Sequence, residues 1–165
     1  MNGRAFFALT AAALCAGKGL KERNRLCRRE ETLSWWLSAL RRLHEAFSLR
    51  GASIPQALLF SSGGEDNPLS QLAKALSEAP SSDVQGMIGG LSFDPLLSME
   101  EVSALKGCLL SLFSPELSCQ ASAASRAAGQ FEEYLNLAAE KRARLGKTYT
   151  SLGFLAGAAL FILLI

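Results

Sequence analysis

The side chains that could carry chemistry in this sequence are few and widely spaced. Its four cysteines are Cys15, Cys27, Cys108 and Cys119, no two of which form a Cys-x-x-Cys pair, and His44 is the single histidine. A structural zinc site needs several thiolate or imidazole ligands at matched spacing, so we expect no metal site. Cys108 and Cys119 are expected to serve as small apolar packing groups in helices.

Two further patterns allow a catalytic or phosphate-binding interpretation. Glu100 and Glu101 could form a carboxylate pair, but they follow Ser98 in a helix-capping pattern, where acidic side chains oppose the helix dipole. The Gly86–Gly90 stretch lacks the Gly-Lys-Ser/Thr signature of a phosphate-binding loop and favours a flexible corner. His44 borders an apolar stripe, where packing or solvation is commoner than catalysis. The sequence therefore predicts a non-enzymatic protein without a cofactor.

The composition predicts that helices position these residues. Leu, Ala and Ser dominate, and valine occurs only at Val84 and Val102, so strand formers are scarce. The spacing of apolar residues predicts one amphipathic helix over residues 25–50, which ends at Gly51. Its apolar stripe comprises Leu33, Trp36, Leu40, Leu43 and Phe47. Arg41 can pair with Glu45 one turn on, although an exposed pair contributes little to stability. Trp35 lies beside the stripe and either widens the buried face or contacts a partner.

Further helices are marked by their start signals. These signals are Ser53–Gln56, Asn67-Pro68 (helix to about Ala79), Pro80–Asp83, Ser98–Glu101 (helix through Phe113) and Ser114–Glu116. We expect the core to include Leu105, Leu109 and Leu112, and the last helix to carry a heptad seam at Leu117, Ala121, Ala124, Ala128, Phe131, Leu135 and Ala138. The sequence predicts an all-α protein whose centre is a compact bundle of about six helices.

Both ends of the chain are apolar. The run from Ala5 to Gly17 would make a helix about 20 Å long, short of the hydrocarbon core of about 30 Å. A small-x-small cleavage site is hard to place, and dense positive charge follows the run, so an uncleaved membrane anchor is favoured over a cleaved signal peptide. The run from Tyr149 to Ile165 has no charge, and Gly153 with Gly157 forms a small-xxx-small face. We expect residues 1–20 to be an N-terminal anchor and residues 148–165 a C-terminal transmembrane segment.

Basic residues crowd beside both apolar runs although the net charge is only +2. The membrane-flanking set is Lys18, Lys21, Arg23, Arg25, Lys141, Arg142, Arg144 and Lys147. Aromatics do not interleave with these residues, which argues against nucleic acid, and their position fits contact with membrane lipid on the cytoplasmic side. The predicted topology holds a cytoplasmic bundle, residues 21–147, between two membrane segments.

The order of these features resembles the stage III sporulation protein AB family. Residues 105–120 (LKGCLLSLFSPELSCQ) resemble its helix–corner–helix, with Glu116 and Gln120 at the acidic and glutamine positions. Residues 141–165 resemble its Lys-rich, Leu-Gly, apolar tail, and Arg23 with residues 33–57 fits loosely. The chain departs from the family pattern at Leu109, Phe113 and Pro115.

The resemblance implies a bundle similar to the cytoplasmic domains of the type II secretion F protein. It also implies a place in the mother-cell membrane facing the forespore, with a stage III sporulation protein AA-type ATPase and other stage III sporulation A membrane proteins as partners. Glu116, Gln120 and Trp35 are the candidate partner contacts. The main alternative is a self-oligomerising small membrane pore joined through Gly153 and Gly157, and a third is a secreted, tail-anchored protein.

Overall fold

Helices form all the regular structure in a computed structural model of the chain, which describes residues 3–64, 66–78, 83–114 and 116–164. In chain order they are α1 Gly3–Arg50, α2 Ile54–Ser62, α3 Pro68–Glu78, α4 Val84–Gly89, α5 Met99–Ser111 and α6 Leu117–Leu164. The predicted all-α fold is confirmed for these residues. The first and last helices are 48 residues each, far longer than the four between them.

The helix α1 begins much earlier than the sequence pattern alone indicates. The apolar N-terminal run and the predicted helix over residues 25–50 form one continuous helix from Gly3. Residues 18–24 contain no proline and are rich in Lys, Leu, Glu and Arg, which lose little side-chain freedom in a helix, so nothing in them stops it. The helix ends as expected, because Gly51 adopts a left-handed φ of 55°.

Side-chain caps set the starts of the short helices. The Asn67 carboxamide oxygen accepts hydrogen bonds from the backbone N–H groups of Leu69 and Ser70, both at 3.1 Å. At the start of α5, the Ser98 N–H donates to the Glu101 carboxylate at 2.6 Å, and the Glu101 N–H donates to the Ser98 hydroxyl at 3.2 Å. These contacts confirm the predicted capping box at Ser98.

Between α3 and α5, the described residues 83–98 contain one short helix. Asp83 caps α4 by accepting the Gln85 N–H at 3.1 Å, but the helix is only six residues long. The predicted start residues Pro80–Ser82, and the predicted end of α3 at Ala79, lie outside the described residues. The α5 helix ends at Ser111, two residues before the predicted end, because the chain tightens there into a turn.

The chain divides into two compact units. Unit 1 comprises Met1–Glu31 and Asn136–Ile165, and unit 2 comprises Thr32–Leu135. Unit 2 holds eleven acidic and six basic residues, a net charge of −5, whereas unit 1 holds four acidic and eleven basic residues, a net charge of +7. The small overall charge therefore conceals a strong separation of sign between the two units.

The core of unit 2 is built from the residues that the periodicity indicated. The α1 stripe (Leu33, Trp36, Leu40, Leu43 and Phe47) is buried, as are Leu105 and Leu109 of α5 and Leu112 in the turn that follows it. On α6, Ala124, Ala128 and Phe131 of the predicted seam are buried, and Ala123 and Ala127 widen it. Small side chains on this face let neighbouring helices approach closely. Burial of these apolar groups supplies most of the stabilisation of unit 2.

One ion pair joins α1 to α6, and a second lies within α1. The Arg41 guanidinium lies 3.0 Å from the Glu132 carboxylate on α6, and Arg50 lies 3.4 Å from Glu45. The predicted Arg41–Glu45 pair is therefore wrong, because the packing of α6 beside α1 offers Arg41 a different carboxylate. Both pairs are exposed, so each contributes at most about 1 kcal/mol to stability.

Across the part of the chain that the structure describes, no helix carries a segment long and apolar enough to cross a membrane. The apolar ends nevertheless present large side chains to the surface. These exposed side chains are Leu14, Leu20, Leu152, Phe154, Leu155 and Ile162. The membrane segments at residues 1–20 and 148–165 stay a prediction, as does the cytoplasmic domain at residues 21–147.

Candidate functional site

The corner between α5 and α6 places two of the predicted contact residues in different environments. The Glu116 side chain is exposed, and its carboxylate accepts a hydrogen bond from the Cys119 thiol at 3.4 Å. Gln120, one turn further on, is only 7% exposed. Its amide nitrogen donates to the Ser114 carbonyl at 2.8 Å, which holds the end of the turn against the start of α6.

The buried position of Gln120 gives it a structural part in the corner. Its Nε2 group fixes the backbone at Ser114, whereas its Oε1 atom is buried and has no hydrogen-bond partner within the described residues. A buried, unpaired amide oxygen is costly, so the Ser114 bond has to offset it. Of the two residues at the corner, Glu116 is therefore the one whose side chain is accessible to a partner.

Trp35 belongs to an aromatic cluster on unit 2. Its ring meets Trp36 edge to face, with centroids 5.0 Å apart, and Trp36 lies 5.8 Å from Phe93. The Lys106 ammonium group stands 5.8 Å above the Phe93 ring. Trp36 is buried and Trp35 is half-buried, so Trp35 both widens the packed face and keeps one part of its ring at the surface.

The single histidine is engaged by the backbone of a neighbouring helix. The His44 Nδ1–H donates to the Ala121 carbonyl on α6 at 3.0 Å, and the ring is half-buried. This hydrogen bond links α1 to α6 and fixes the tautomer, because a carbonyl oxygen only accepts. His44 thus contributes to packing in this arrangement, which is one of the two roles, packing or solvation, that the sequence favours over catalysis.

The cysteines differ in their access to solvent. Cys108 is buried, its thiol lies 3.7 Å from the Ala123 carbonyl, and burial raises the pKa of Cys108 to about 12, with Arg126 opposing the shift. Cys119 is exposed on the first turns of α6. The thiolate is the reactive form, so the two cysteines should differ sharply in reactivity.

We expect iodoacetamide at pH 8 to alkylate Cys119 within minutes and to leave Cys108 unmodified until the chain unfolds. Peptide mass spectrometry with and without urea measures both sites. Because the pKa of Cys108 is raised in the folded state, folding favours the protonated thiol. The contribution of this thiol to the stability of the fold is therefore present below the ordinary thiol pKa and is lost as the pH rises from about 9 to about 12. Equal labelling of both cysteines in the folded chain would show that Cys108 is not packed as described.

In unit 1, α1 and α6 approach each other closely at Gly19 and Gly153. A Cβ atom placed on Gly19 would lie 2.5 Å from the Tyr149 carbonyl oxygen and 3.4 Å from the Gly153 Cα. Only a residue without a side chain fits such a close backbone approach. Gly153, proposed from sequence as part of a self-association face, therefore packs against the same chain.

A charged contact holds the same two helices further along. The Arg142 guanidinium donates to the Glu30 carboxylate at 2.9 Å, and this hydrogen bond, with the neighbouring Cys27 and Glu30 charges, raises the pKa of Arg142. Gly19 of α1 lies against Gly153 of α6, and Glu30, further along α1, contacts Arg142, which comes earlier in α6. The two helices are therefore antiparallel in unit 1. Arg144 pairs with Glu140 at 3.6 Å on its own helix.

The predicted membrane-flanking residues lie together on unit 1. All eight of them (Lys18, Lys21, Arg23, Arg25, Lys141, Arg142, Arg144 and Lys147) are exposed. Three of them, Arg23, Arg142 and Lys147, line a cavity of about 670 Å³ together with Glu30, Ala139, Ala143, Gly146, Thr150 and Ser151. The sequence places these basic residues beside the apolar runs but carries no signal of the cavity, because the antiparallel pairing of α1 and α6 creates it.

Comparison with known proteins supplies the family. Curated proteins and solved structures give no significant match to the chain. The family model described as stage III sporulation protein AB, by contrast, matches residues 4–165. The match covers the corner at Glu116 and Gln120, the basic residues of unit 1 and both apolar ends, which is nearly the whole chain. The chain belongs to the stage III sporulation protein AB family.

Proposed function

We propose that this protein is a non-enzymatic, membrane-anchored platform of a sporulation secretion-like complex that joins mother cell and forespore. Its helical domain, similar to the type II secretion F domains, would dock a cytoplasmic ATPase of the stage III sporulation protein AA type and other stage III sporulation A membrane proteins. The observation that carries this proposal is the family match over residues 4–165, which establishes a sporulation-related role.

The surface of the molecule supports membrane attachment through the two ends. The apolar side chains near the C-terminus face outward, with Leu155 66% and Ile162 77% exposed. Large exposed apolar surface on a small protein indicates a membrane or protein partner. The basic residues next to it fit the cytoplasmic face of a membrane, which attracts lysine and arginine. In this arrangement unit 2 would lie in the cytoplasm of the mother cell.

The charge of unit 2 favours docking of a basic surface. Its net charge of −5 would attract a positively charged partner and orient it, which raises the rate of association more than the final affinity. Glu116 is an exposed carboxylate at the α5–α6 corner, where the chain leaves one helix and enters another. Gly153 packs against Gly19 of the same chain, which favours this platform over a pore assembled through Gly153.

Replacing Glu116 with glutamine should weaken binding of the purified ATPase about tenfold, which corresponds to one charged contact of about 1.4 kcal/mol. Binding is measured with the full chain in lipid nanodiscs. The matched control is Glu133→Gln, which removes the same charge from α6 about 25 Å further along the helix axis. Because both side chains are exposed, helicity by circular dichroism should not change. Equal affinity of the Glu116→Gln variant and the wild type would remove Glu116 from the contact surface.

A further inference from the structure

The cavity on unit 1 has a composition that suits an anion. It is formed on one side by Arg23 and Glu30 of α1 and on the other by residues 139–151 of α6. Three cations, Arg23, Arg142 and Lys147, face one carboxylate, so the cavity carries an excess of two positive charges. A concave site with unbalanced charge raises the local concentration of ligands of opposite sign.

The cations of the cavity divide into one that is paired and two that are available. Arg142 is held by the Glu30 carboxylate at 2.9 Å, so that end of the cavity is neutral. Arg23 and Lys147 make no ion pair within the described residues. A guanidinium and an ammonium group that line one cavity are a favourable combination for phosphate, since the first donates two parallel hydrogen bonds and the second supplies a point charge.

The hydroxyl groups and the empty space lie at the other end of the cavity. The Thr150 hydroxyl donates a hydrogen bond to the Gly146 carbonyl at 2.9 Å, which fixes the orientation of this hydroxyl group. The neighbouring Ser151 hydroxyl also lines the cavity and is available as a donor. Gly146 is buried in the wall, and a Cβ atom placed there would meet nothing within 4 Å. The missing side chain at Gly146 therefore leaves volume that a ligand can occupy.

The geometry points to a binding site for a phosphate group at Arg23, Lys147 and Ser151, with the headgroup of an anionic phospholipid as its source. This inference rests on the proposed membrane attachment of unit 1. Ser151 is followed directly by the exposed Leu152, Phe154 and Leu155, so a phosphate in the cavity would have its acyl chains beside an apolar surface. The lipid would then occupy the cavity between α1 and α6 and fix unit 1 at the height of the headgroups.

Native mass spectrometry of the full chain, released from neutral detergent micelles with added phospholipid, tests this site. The wild type should retain phosphatidylglycerol about tenfold more than phosphatidylcholine, because only the first has an uncompensated phosphate charge. The Arg23→Gln/Lys147→Gln variant should lose this preference. The matched control, Arg25→Gln/Lys141→Gln, also removes one arginine from α1 and one lysine from α6, but neither residue lines the cavity.

A steric variant separates the site from general electrostatic attraction. Gly146→Leu fills the cavity, changes no charge and places its Cβ atom in open space, so it should reduce lipid retention while circular dichroism shows an unchanged fold. Equal loss in the two double variants, or full retention by Gly146→Leu, would overturn the site. Retention of glycerol phosphate as strong as that of phosphatidylglycerol would support the phosphate site and assign a soluble source. Flotation of the wild type with phosphatidylcholine vesicles tests the membrane attachment separately.

Discussion

Replacing Gly19 with alanine should loosen the α1–α6 pair of unit 1 by about 1–3 kcal/mol, the usual cost of forcing an extra methyl group into a packed contact. The new Cβ atom would lie 2.5 Å from the Tyr149 carbonyl oxygen, which belongs to the backbone and cannot turn aside. The helices must then separate. Amide hydrogen exchange of residues 18–31 should become roughly ten- to a hundredfold faster.

Gly17→Ala is the matched control for this experiment. A Cβ atom on Gly17 meets nothing within 4 Å, so this variant gains the higher helix propensity of alanine, about 1 kcal/mol, without a clash. Its exchange should be unchanged or slower than that of the wild type. If the two alanine variants exchanged at the same rate, the close crossing at Gly19 would be contradicted.

Replacing Phe131 with alanine should lower the free energy of unfolding of unit 2 by about 3–5 kcal/mol. The Phe131 side chain is fully buried, and its ring meets Tyr134 edge to face at 5.6 Å, so the substitution leaves a cavity and removes an aromatic contact. Such a loss is a large part of the total stability of a domain of this size. Urea unfolding followed by the fluorescence of Trp35 and Trp36 measures it, since both tryptophans lie in unit 2.

Leu49→Ala provides the comparison for the Phe131 variant. Leu49 lies in unit 2 near the end of α1 and is 78% exposed, so its removal should change the unfolding free energy by less than about 0.5 kcal/mol. A small effect at Phe131, equal to that at Leu49, would mean that the seam of α6 is not packed in the core.

The helices and the core could be predicted largely from local signals. The stripe from Leu33 to Phe47 follows the helical period, and every residue in it is buried. The start signals at Asn67 and Ser98 are short-range hydrogen-bond patterns, so they are visible in a few consecutive residues. The continuation of α1 to Gly3 was missed because the sequence shows two apolar patterns with a charged stretch between them, and charge alone does not end a helix.

The tertiary details depended on which helices become neighbours. The Arg41–Glu132 pair joins residues 91 positions apart, and the Arg142–Glu30 pair joins residues 112 positions apart. No local pattern specifies such contacts, which explains why Arg41 was assigned to the nearby Glu45. Gln120 was predicted as a partner contact from its place in the corner, whereas its burial follows from the turn that brings the Ser114 carbonyl within 2.8 Å.

The most direct test of the platform function is an affinity purification of the tagged full chain from membranes of sporulating native cells, followed by mass spectrometry. If the protein is a platform, a stage III sporulation protein AA-type ATPase should be recovered with other stage III sporulation A membrane proteins. Higher salt should reduce ATPase recovery, because the docking surface is acidic. Recovery of the protein alone, as a stable ring, would contradict the platform function and favour a self-assembled pore.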